Sequence, residues 1–232
     1  MGHLHLRTSN PDGHKKLWVD TLGARLVKSG TLEVILFPDV VIALAKGEPT
    51  GGTDDSVVNH LGFLVKDLAS TKEKLIAQGV KIVRDDPKAG QIFAMFPDAV
   101  KVEFTEDKSI AVPIKHHHIH FATNEQDEMR AWYAKMFGAV PGMRGRFKAA
   151  DLPGVNLSWN PAEKPTIPTK GRGLDHIGFE IKDLKAFCAR LESEGVNFNV
   201  PYREVPAIKL KIAFFTDPWG TYVELTEGLS AL

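Results

Sequence analysis

GLDHIGFEIKDLKAFCARLESEGVNF, residues 173–198, decides the fold, because it joins an apolar strand opened by His176 to an amphipathic helix. In a close copy, NHLGFLVKDLASTKEKLIAQGVKI, His60 answers to His176 (176 − 60 = 116). Two looser copies, HLHLRTSN and HIHFATNE, are led by His3 and His118 (118 − 3 = 115). The chain is therefore predicted to be a duplicated half, and each half contains two units that start with a histidine on a strand.

The composition limits the classes of partner. With 232 residues, 43% hydrophobic and 25% charged, the chain suits two small globular domains. Lys+Arg and Asp+Glu each number 29, so no net charge attracts nucleic acid or an anionic membrane. The pattern predicts no membrane span and no secretory signal, and the single cysteine, Cys188, is expected to pack in a core and fits a reducing compartment. We expect a cytoplasmic protein with a small-molecule partner. A leader removed before residue 1 is the alternative, because a predicted strand starts at His3.

Each unit is predicted to have the element order β-α-β-β-β. In the first, a strand HLHLRT precedes a helix capped by Ser9 or Asn10, and three short extended pieces follow. The connectors GEPTGGTDD and NPAEKPTIPTKGRG join the two units of each half, and Pro113 interrupts the pattern between the halves. We therefore predict two α+β domains, residues 1–110 and 115–232, each of two units.

The four units resemble the vicinal oxygen chelate superfamily, which includes glyoxalase I, extradiol dioxygenases and bleomycin-sequestering proteins. The resemblance rests on the strand openings HLHL, HLGF, HIHF and HIGF, on helices that finish at LGA and FGA, and on the strand ends VEF and DPWGTYVEL. It covers essentially the whole chain. It implies two tandem glyoxalase/dioxygenase-like domains, each an incomplete β-barrel of two βαβββ units with flanking helices and one divalent metal ion on its concave face.

The resemblance also implies a metal-ligand set in each half, made of two strand-opening histidines and a glutamate on the last strand. The predicted main set is His118, His176 and Glu224, and the possible second set is His3, His60 and Glu103. Two imidazoles and a carboxylate favour Fe2+, and they also suit Zn2+, Mn2+, Ni2+ or Co2+. The second half is preferred for its longer DPWG turn. The alternative is that these are strand residues with ordinary hydrogen bonds, which their recurrence at one register disfavours.

His5 and His120 lie two residues after the strand-opening histidines, so the strand pleat directs them to the ligand face. A neutral imidazole there is predicted to act as a general acid/base or as a partner that orients a ligand. In the predicted main site, His120 is the candidate catalytic imidazole. Tyr222, two residues before Glu224, is a candidate phenol donor to the substrate, and its alternative role is packing.

The ligand count bears on the reaction. The strands VVIALA and VNLSW contain no acid at the place where glyoxalase I carries a further acidic ligand. A three-ligand site marginally favours an extradiol-type dioxygenase, which binds a diol and O2 together, over a glyoxalase-like lyase or epimerase. A third alternative is a metal-free protein that sequesters a ligand, as bleomycin-resistance proteins do. The sequence leaves open the substrate, the number of working sites, and whether units pair within one chain or between the chains of a homodimer.

Overall fold

The computed structural model describes residues 2–29 and 31–231. Within this part of the chain, four units follow the predicted order of one strand, one helix and three strands. None of the helices described is both long and apolar enough to cross a membrane.

The four units have the same five elements. The first contains β1 (His3–Thr8), α1 (Pro11–Lys15), β2 (Arg25–Ser29), β3 (Leu32–Phe37) and β4 (Val40–Lys46). The second contains β5 (Val58–Val65), α2 (Leu68–Ala77), β6 (Lys81–Asp86), β7 (Gln91–Phe96) and β8 (Val100–Glu106). The third contains β9 (Ile114–Ala122), α3 (Gln126–Phe137), β10 (Val140–Arg144), β11 (Phe147–Leu152) and β12 (Val155–Asn160). The fourth contains β13 (Leu174–Glu180), α4 (Leu184–Ser193), β14 (Phe198–Val205), β15 (Leu210–Thr216) and β16 (Tyr222–Glu227).

Side chains next to the helices set their starting points. Asn10, Asp67 and Asp183 each accept a hydrogen bond from the backbone N–H three residues later, at the start of α1, α2 and α4. The first helix continues as a π-helical turn over Lys16–Thr21. It is followed by Gly23, whose φ of 81° is a left-handed conformation that favours glycine. The predicted cap and stop of this helix are both confirmed.

The strands form two open sheets of eight strands, and neither closes into a barrel. The first has the order β14-β15-β16-β13-β1-β4-β3-β2, and the second has the order β10-β11-β12-β9-β5-β8-β7-β6. The first sheet therefore joins units one and four through β1 and β13, and the second joins units two and three through β5 and β9. Both sheets are completed within one chain. The predicted α+β tandem fold is confirmed, but the expectation that residues 1–110 and 115–232 each build their own sheet is wrong.

The two connectors, residues 47–55 and 160–173, contact each other where the chain crosses between the sheets. Gly173 N donates to Gly51 O at 2.8 Å, and the buried Arg172 forms an ion pair with Asp55. Each connector therefore carries the chain from one sheet to the other. The link over residues 107–114, predicted as the domain boundary, instead joins two units of one sheet.

The main hydrophobic core lies on the sheet faces opposite the strand-opening histidines. Leu4 and Leu6 in β1, and Ile119 and Phe121 in β9, alternate with those histidines and are completely buried. Cys188 of α4 belongs to the same core, and burial raises the pKa of its thiol to about 11. The prediction that this cysteine is a packed core residue is confirmed.

The DPWG turn, residues 217–220, links the fourth unit to the third through the side chain of Asp217. Asp217 Oδ2 accepts a hydrogen bond from the Tyr133 hydroxyl of α3 at 2.9 Å. Asp217 Oδ1 accepts from the backbone N–H groups of Thr221 at 2.7 Å and Trp219 at 3.0 Å. Burial raises the pKa of this carboxyl to about 6, although these hydrogen bonds oppose the shift.

The raised pKa of Asp217 makes the stability of the fold depend on pH. Because the folded pKa exceeds the ordinary 3.8, protonation stabilises the fold below pH 3.8, and this contribution is lost as the pH rises through about 6. The Asp217→Asn side chain stays neutral at every pH, so the stability of this variant should not fall as the pH rises through about 6. The unfolding free energy of the wild type should fall relative to the variant by about 2 kcal/mol between pH 4.5 and 7. Urea denaturation of both proteins in chelator measures this, and a pH-independent difference contradicts it.

Candidate metal centres

Two clusters of three histidines and one glutamate lie on the sheet faces opposite the main core. The first centre, in the first sheet, comprises His3, His5, His176 and Glu224, and the second centre, in the second sheet, comprises His60, Glu103, His118 and His120. In each centre, four possible ligand atoms, one from each residue, lie within 4.8 Å of one another. All of these side chains are buried except His5, which is half-buried. Each centre therefore combines two histidines from one unit with a histidine and a glutamate from the unit paired with it.

Crosswise sheet pairing regroups the residues predicted from the sequence. His118 lies beside Glu103 rather than Glu224, and His3 lies beside Glu224 rather than Glu103. The two predicted sets have therefore exchanged their first histidine, because β9 pairs with β5 and β1 pairs with β13. The residue types and the strand faces are those expected from the sequence.

Strand register places the four side chains of the first centre side by side. His5 is paired with His176 and His3 with Gly178 between β1 and β13. Glu224 is paired with Gly178 from the other side, between β13 and β16. In the second centre, His120 is paired with His60 and His118 with Gly62, between β9 and β5. Glu103 is paired with Gly62 from the other side, between β5 and β8.

Gly178 and Gly62 leave the space in which a neighbouring imidazole lies. A Cβ atom at Gly62 would lie 1.9 Å from His118 Cε1, and one at Gly178 would lie 2.1 Å from His3 Cε1. No side chain larger than hydrogen fits at either position unless the ring moves away. The two glycines therefore position one histidine in each centre.

The two ring nitrogens of His60 each face an acceptor oxygen, but a neutral ring has only one N–H to donate. His60 Nδ1 lies 2.9 Å from Asn59 Oδ1, and His60 Nε2 lies 3.0 Å from Glu103 Oε2. Asn59 Nδ2 donates to Asp54 O at 3.3 Å, which turns its Oδ1 toward the ring. Burial lowers the pKa of His60 despite the hydrogen bond to Glu103, so the neutral ring has one N–H for two acceptors. A cation bound by His60 Nε2 and Glu103 Oε2 removes this conflict.

Other ring nitrogens in the two centres are buried without a hydrogen-bond partner among the residues described. They are His3 Nδ1, His118 Nε2 and His120 Nε2. Burial lowers the pKa of His118 to about 3 and that of His120 to about 2, so both rings are neutral at neutral pH. A neutral imidazole is the form that binds a metal, through whichever of its two ring nitrogens carries the lone pair. The side chains of both centres therefore fit a divalent metal ion.

Glu224 is the common acceptor of the first centre. Its Oε2 lies 2.8 Å from His3 Nε2 and 2.9 Å from His176 Nε2. Burial alone would raise the pKa of Glu224, but these imidazoles hold it below the usual range. His176 Nδ1 lies 2.6 Å from Asp175 Oδ1, the kind of contact by which a carboxylate orients a metal-binding histidine.

The second centre has contacts that the sequence reasoning missed. Glu103 Oε1 accepts hydrogen bonds from Thr105 Oγ1 at 2.7 Å and from Gln91 Nε2 at 3.2 Å. Arg144 Nη2 lies 3.3 Å from His120 Nδ1. No motif marks Gln91 or Arg144. Only the alternation of side chains between the two faces, followed to the end of each strand, could have indicated that these two lie on the ligand face.

The two residues predicted to be catalytic lie in different centres. The Tyr222 ring is 5.6 Å from the His176 ring, and Lys170 Nζ lies 4.5 Å from the centroid of that tyrosine ring. Tyr222 therefore packs beside the first centre. His120 is a member of the second centre, and His5 occupies the equivalent place in the first.

Three imidazoles and one carboxylate form a ligand set that suits Fe2+, Zn2+, Mn2+, Ni2+ or Co2+. Four βαβββ units are paired into two open sheets, and each sheet carries one such cluster of possible metal ligands. The model of the Glyoxalase/Bleomycin resistance protein/Dioxygenase superfamily matches residues 1–106 and 115–225. The chain belongs to this superfamily, which confirms the resemblance seen in the sequence.

Sequence relatives match parts of the chain. Lactoylglutathione lyase of Pseudomonas aeruginosa is 42% identical over 57 residues, which are 25% of this chain and 31% of that protein. The uncharacterized protein YaeR of Escherichia coli is 28% identical over 123 residues, 48% of this chain and 94% of that protein. The match to the lyase thus spans about a third of its length.

Solved structures match nearly the whole chain. Glyoxalase I of Zea mays superposes with a TM-score of 0.75 at 18% identity, covering 97% of this chain and 91% of that one. A putative dioxygenase of Bacillus subtilis superposes with a TM-score of 0.69 at 15% identity, covering 97% and 84%. At these identities the likeness concerns the fold alone.

Proposed function

We propose that the chain is a divalent-metal-dependent enzyme that acts on a small molecule with vicinal oxygens, and that its reaction is of the lyase or isomerase type. The observation that carries the proposal is the cluster of four possible ligand residues in each sheet. These four residues would hold the ion, and a six-coordinate ion would then have two positions left for two neighbouring oxygens of one substrate.

A third imidazole in each centre raises the number of possible protein ligands to four, and this number bears on the reaction. With three protein ligands, a diol and O2 could bind together, which favoured a dioxygenase. If His5 or His120 is a further donor, a bidentate diol on a six-coordinate ion would leave no position for O2. The count of donors therefore supports a lyase or isomerase over an extradiol dioxygenase. The short match to a lactoylglutathione lyase supports the same class.

The residues of the first centre can hold a metal and move a proton. The metal, when bound, polarises a substrate carbonyl and makes a neighbouring C–H more acidic. Among the described residues, no hydrogen bond reaches Glu224 Oε1, so this oxygen can accept a proton from one carbon and return it to the next. In the second centre, Thr105 and Gln91 hold the matching oxygen of Glu103, so this carboxylate is the more fixed ligand. Tyr222, beside His176, is the proposed phenol donor to a substrate oxygen.

Metal analysis is the first test of this proposal. Protein purified without chelator and reconstituted separately with Fe2+, Co2+, Ni2+, Mn2+ and Zn2+ should bind about two equivalents, one for each centre. A protein that binds less than about a tenth of an equivalent under all of these conditions would instead belong to the metal-free sequestering type.

The second test separates the two classes of reaction. We expect the metal-loaded protein to exchange solvent deuterium into 2-hydroxy ketones or thiol adducts of 2-oxoaldehydes. Glu224→Gln should slow exchange at the first centre by about 100-fold or more in protein that retains its metal. The measurement is deuterium incorporation by NMR, made in a His60→Ala background so that only the first centre is intact. Stoichiometric uptake of O2 with catechols by the Fe2+-loaded protein would contradict the assignment.

A further inference from the structure

The two centres have the same ligands but different surroundings. Around the first centre, the residues that neighbouring strands pair with the ligand-bearing strands are apolar. Val41 is paired with His3 and Ala43 with His5. Ile212 is paired with Thr226, which lies two residues after Glu224 on β16. These positions belong to or pack against a second hydrophobic cluster, whose buried members are Val34, Val41, Leu210, Ile212 and Leu229.

Around the second centre the equivalent positions are polar. Asn156 is paired with His118 where the first sheet has Val41, and Ser158 is paired with His120 where the first sheet has Ala43. Gln91 is paired with Thr105 where the first sheet has Ile212. The second centre therefore offers hydrogen-bonding groups in place of an apolar lining.

Arg144 is the charged group of this polar lining. Its Nε donates to Ser158 Oγ at 2.8 Å, and its Nη2 lies 3.3 Å from His120 Nδ1. Arg144 is half-buried as a residue, and no carboxylate in residues 2–29 or 31–231 lies within the 4.0 Å of an ion pair with its guanidinium. Glu103, the acid whose charge influences it, is already bound by Thr105 and Gln91. A partly desolvated cation without an anion is unfavourable, and a bound anion relieves that cost.

The other centre has no matching cation at this register. Arg144 is paired with Phe147 at the end of β10, and the equivalent pair at the end of β2 is Ser29 and Leu32. A serine carries no charge, so the arginine is an addition specific to the second centre.

We propose that the second centre binds a small 2-hydroxy or 2-oxo carboxylic acid, whose carboxylate is recognised by Arg144. The carboxylate oxygen and the neighbouring 2-oxygen form the vicinal pair that the proposed metal function requires, so this inference rests on that function. The planar guanidinium matches the geometry of a carboxylate and donates charge-assisted hydrogen bonds to it. Arg144 is thus the residue that determines specificity for an anionic substrate.

Binding of glycolate, compared with neutral hydroxyacetone, tests the proposal without an activity assay. The Co2+-loaded His176→Ala variant retains only the second centre, and its visible absorption reports ligand binding at that metal. We expect Arg144→Gln to weaken glycolate binding by about 10- to 100-fold, with unchanged Co2+ content and little change for hydroxyacetone. Arg144→Lys should restore part of the loss. Arg146→Gln, which removes an exposed arginine on the adjoining turn, is the matched control and should bind glycolate as the parent does.

The outcomes separate this inference from the proposed function. Failure of the His176→Ala protein to bind Co2+ would count against the metal function itself. Normal Co2+ binding with equal glycolate affinity in the parent and Arg144→Gln proteins would overturn the role of Arg144 alone. An equal loss in Arg144→Gln and Arg146→Gln would also overturn it, because the effect would then be one of general charge.

Discussion

Loss of His118 together with His176 is expected to remove both bound metal ions, whereas loss of His118 together with His60 should remove only one. His118 and His60 belong to the second centre, while His176 belongs to the first. The double variant His118→Ala/His176→Ala therefore damages both ligand sets, and His60→Ala/His118→Ala damages the same set twice. Metal content after reconstitution should be about zero and about one equivalent per chain, respectively.

The single variants and the alternative grouping give this experiment its controls. His118→Ala and His176→Ala should each retain about one equivalent, so that additivity can be judged directly. If each half of the chain built its own site, the double variant His118→Ala/His176→Ala would keep the metal of the other half. Retention of one equivalent by that variant, with loss of both by His60→Ala/His118→Ala, would therefore refute the crosswise arrangement.

Gly62→Ala is expected to weaken metal binding at the second centre by about two orders of magnitude. The added methyl would lie 1.9 Å from the His118 ring, which must move away from the other ligands. The measurement is a Co2+ titration against a competing chelator in the His176→Ala background, where only the second centre is intact. Gly178→Ala should have the matching effect on the first centre, since its methyl would lie 2.1 Å from the His3 ring.

Gly142→Ala supplies the matched control for this prediction. Gly142 also lies in a strand of the second sheet, but a Cβ there meets no atom within 4 Å. Its φ is not among the positive values, so alanine brings no backbone strain. We expect unchanged Co2+ affinity. Equal affinities in the Gly62→Ala and Gly142→Ala proteins would show that the close approach of His118 is not required for metal binding.

The sequence was sufficient to predict the units and the faces of their strands. Alternation in HLHL and HIHF separated His3, His5, His118 and His120 from the buried leucine, isoleucine and phenylalanine residues between them, and the structure has these faces. This worked because a strand with one face in a core carries a period of two that survives in any tertiary setting. The fold class was implied by the resemblance to the superfamily, to which the fourfold recurrence of this pattern pointed.

The pairing of the units could not be predicted in the same way. Strands β5 and β13 both carry a histidine followed two residues later by a glycine, so β1 meets an equally suitable partner in either. The observed pairing is accompanied by contacts between the connectors, such as the ion pair of Arg172 with Asp55, which join residues distant in sequence and carry no periodic signal. Arg144 was missed for a related reason, because its importance comes from reaching across two strands to His120.

The crosswise sheets also impose an order on synthesis. Units two and three are neighbours along the chain, so their sheet can be completed as soon as β12 has left the ribosome. Strand β1 precedes the other fifteen described strands along the chain, yet its partner β13 begins only at Leu174. Until then the first unit holds an apolar strand with an unpaired edge, which is a site for association with other chains. Chains that stop before Leu174 should therefore aggregate or be captured by chaperones, even though one of their two sheets is whole.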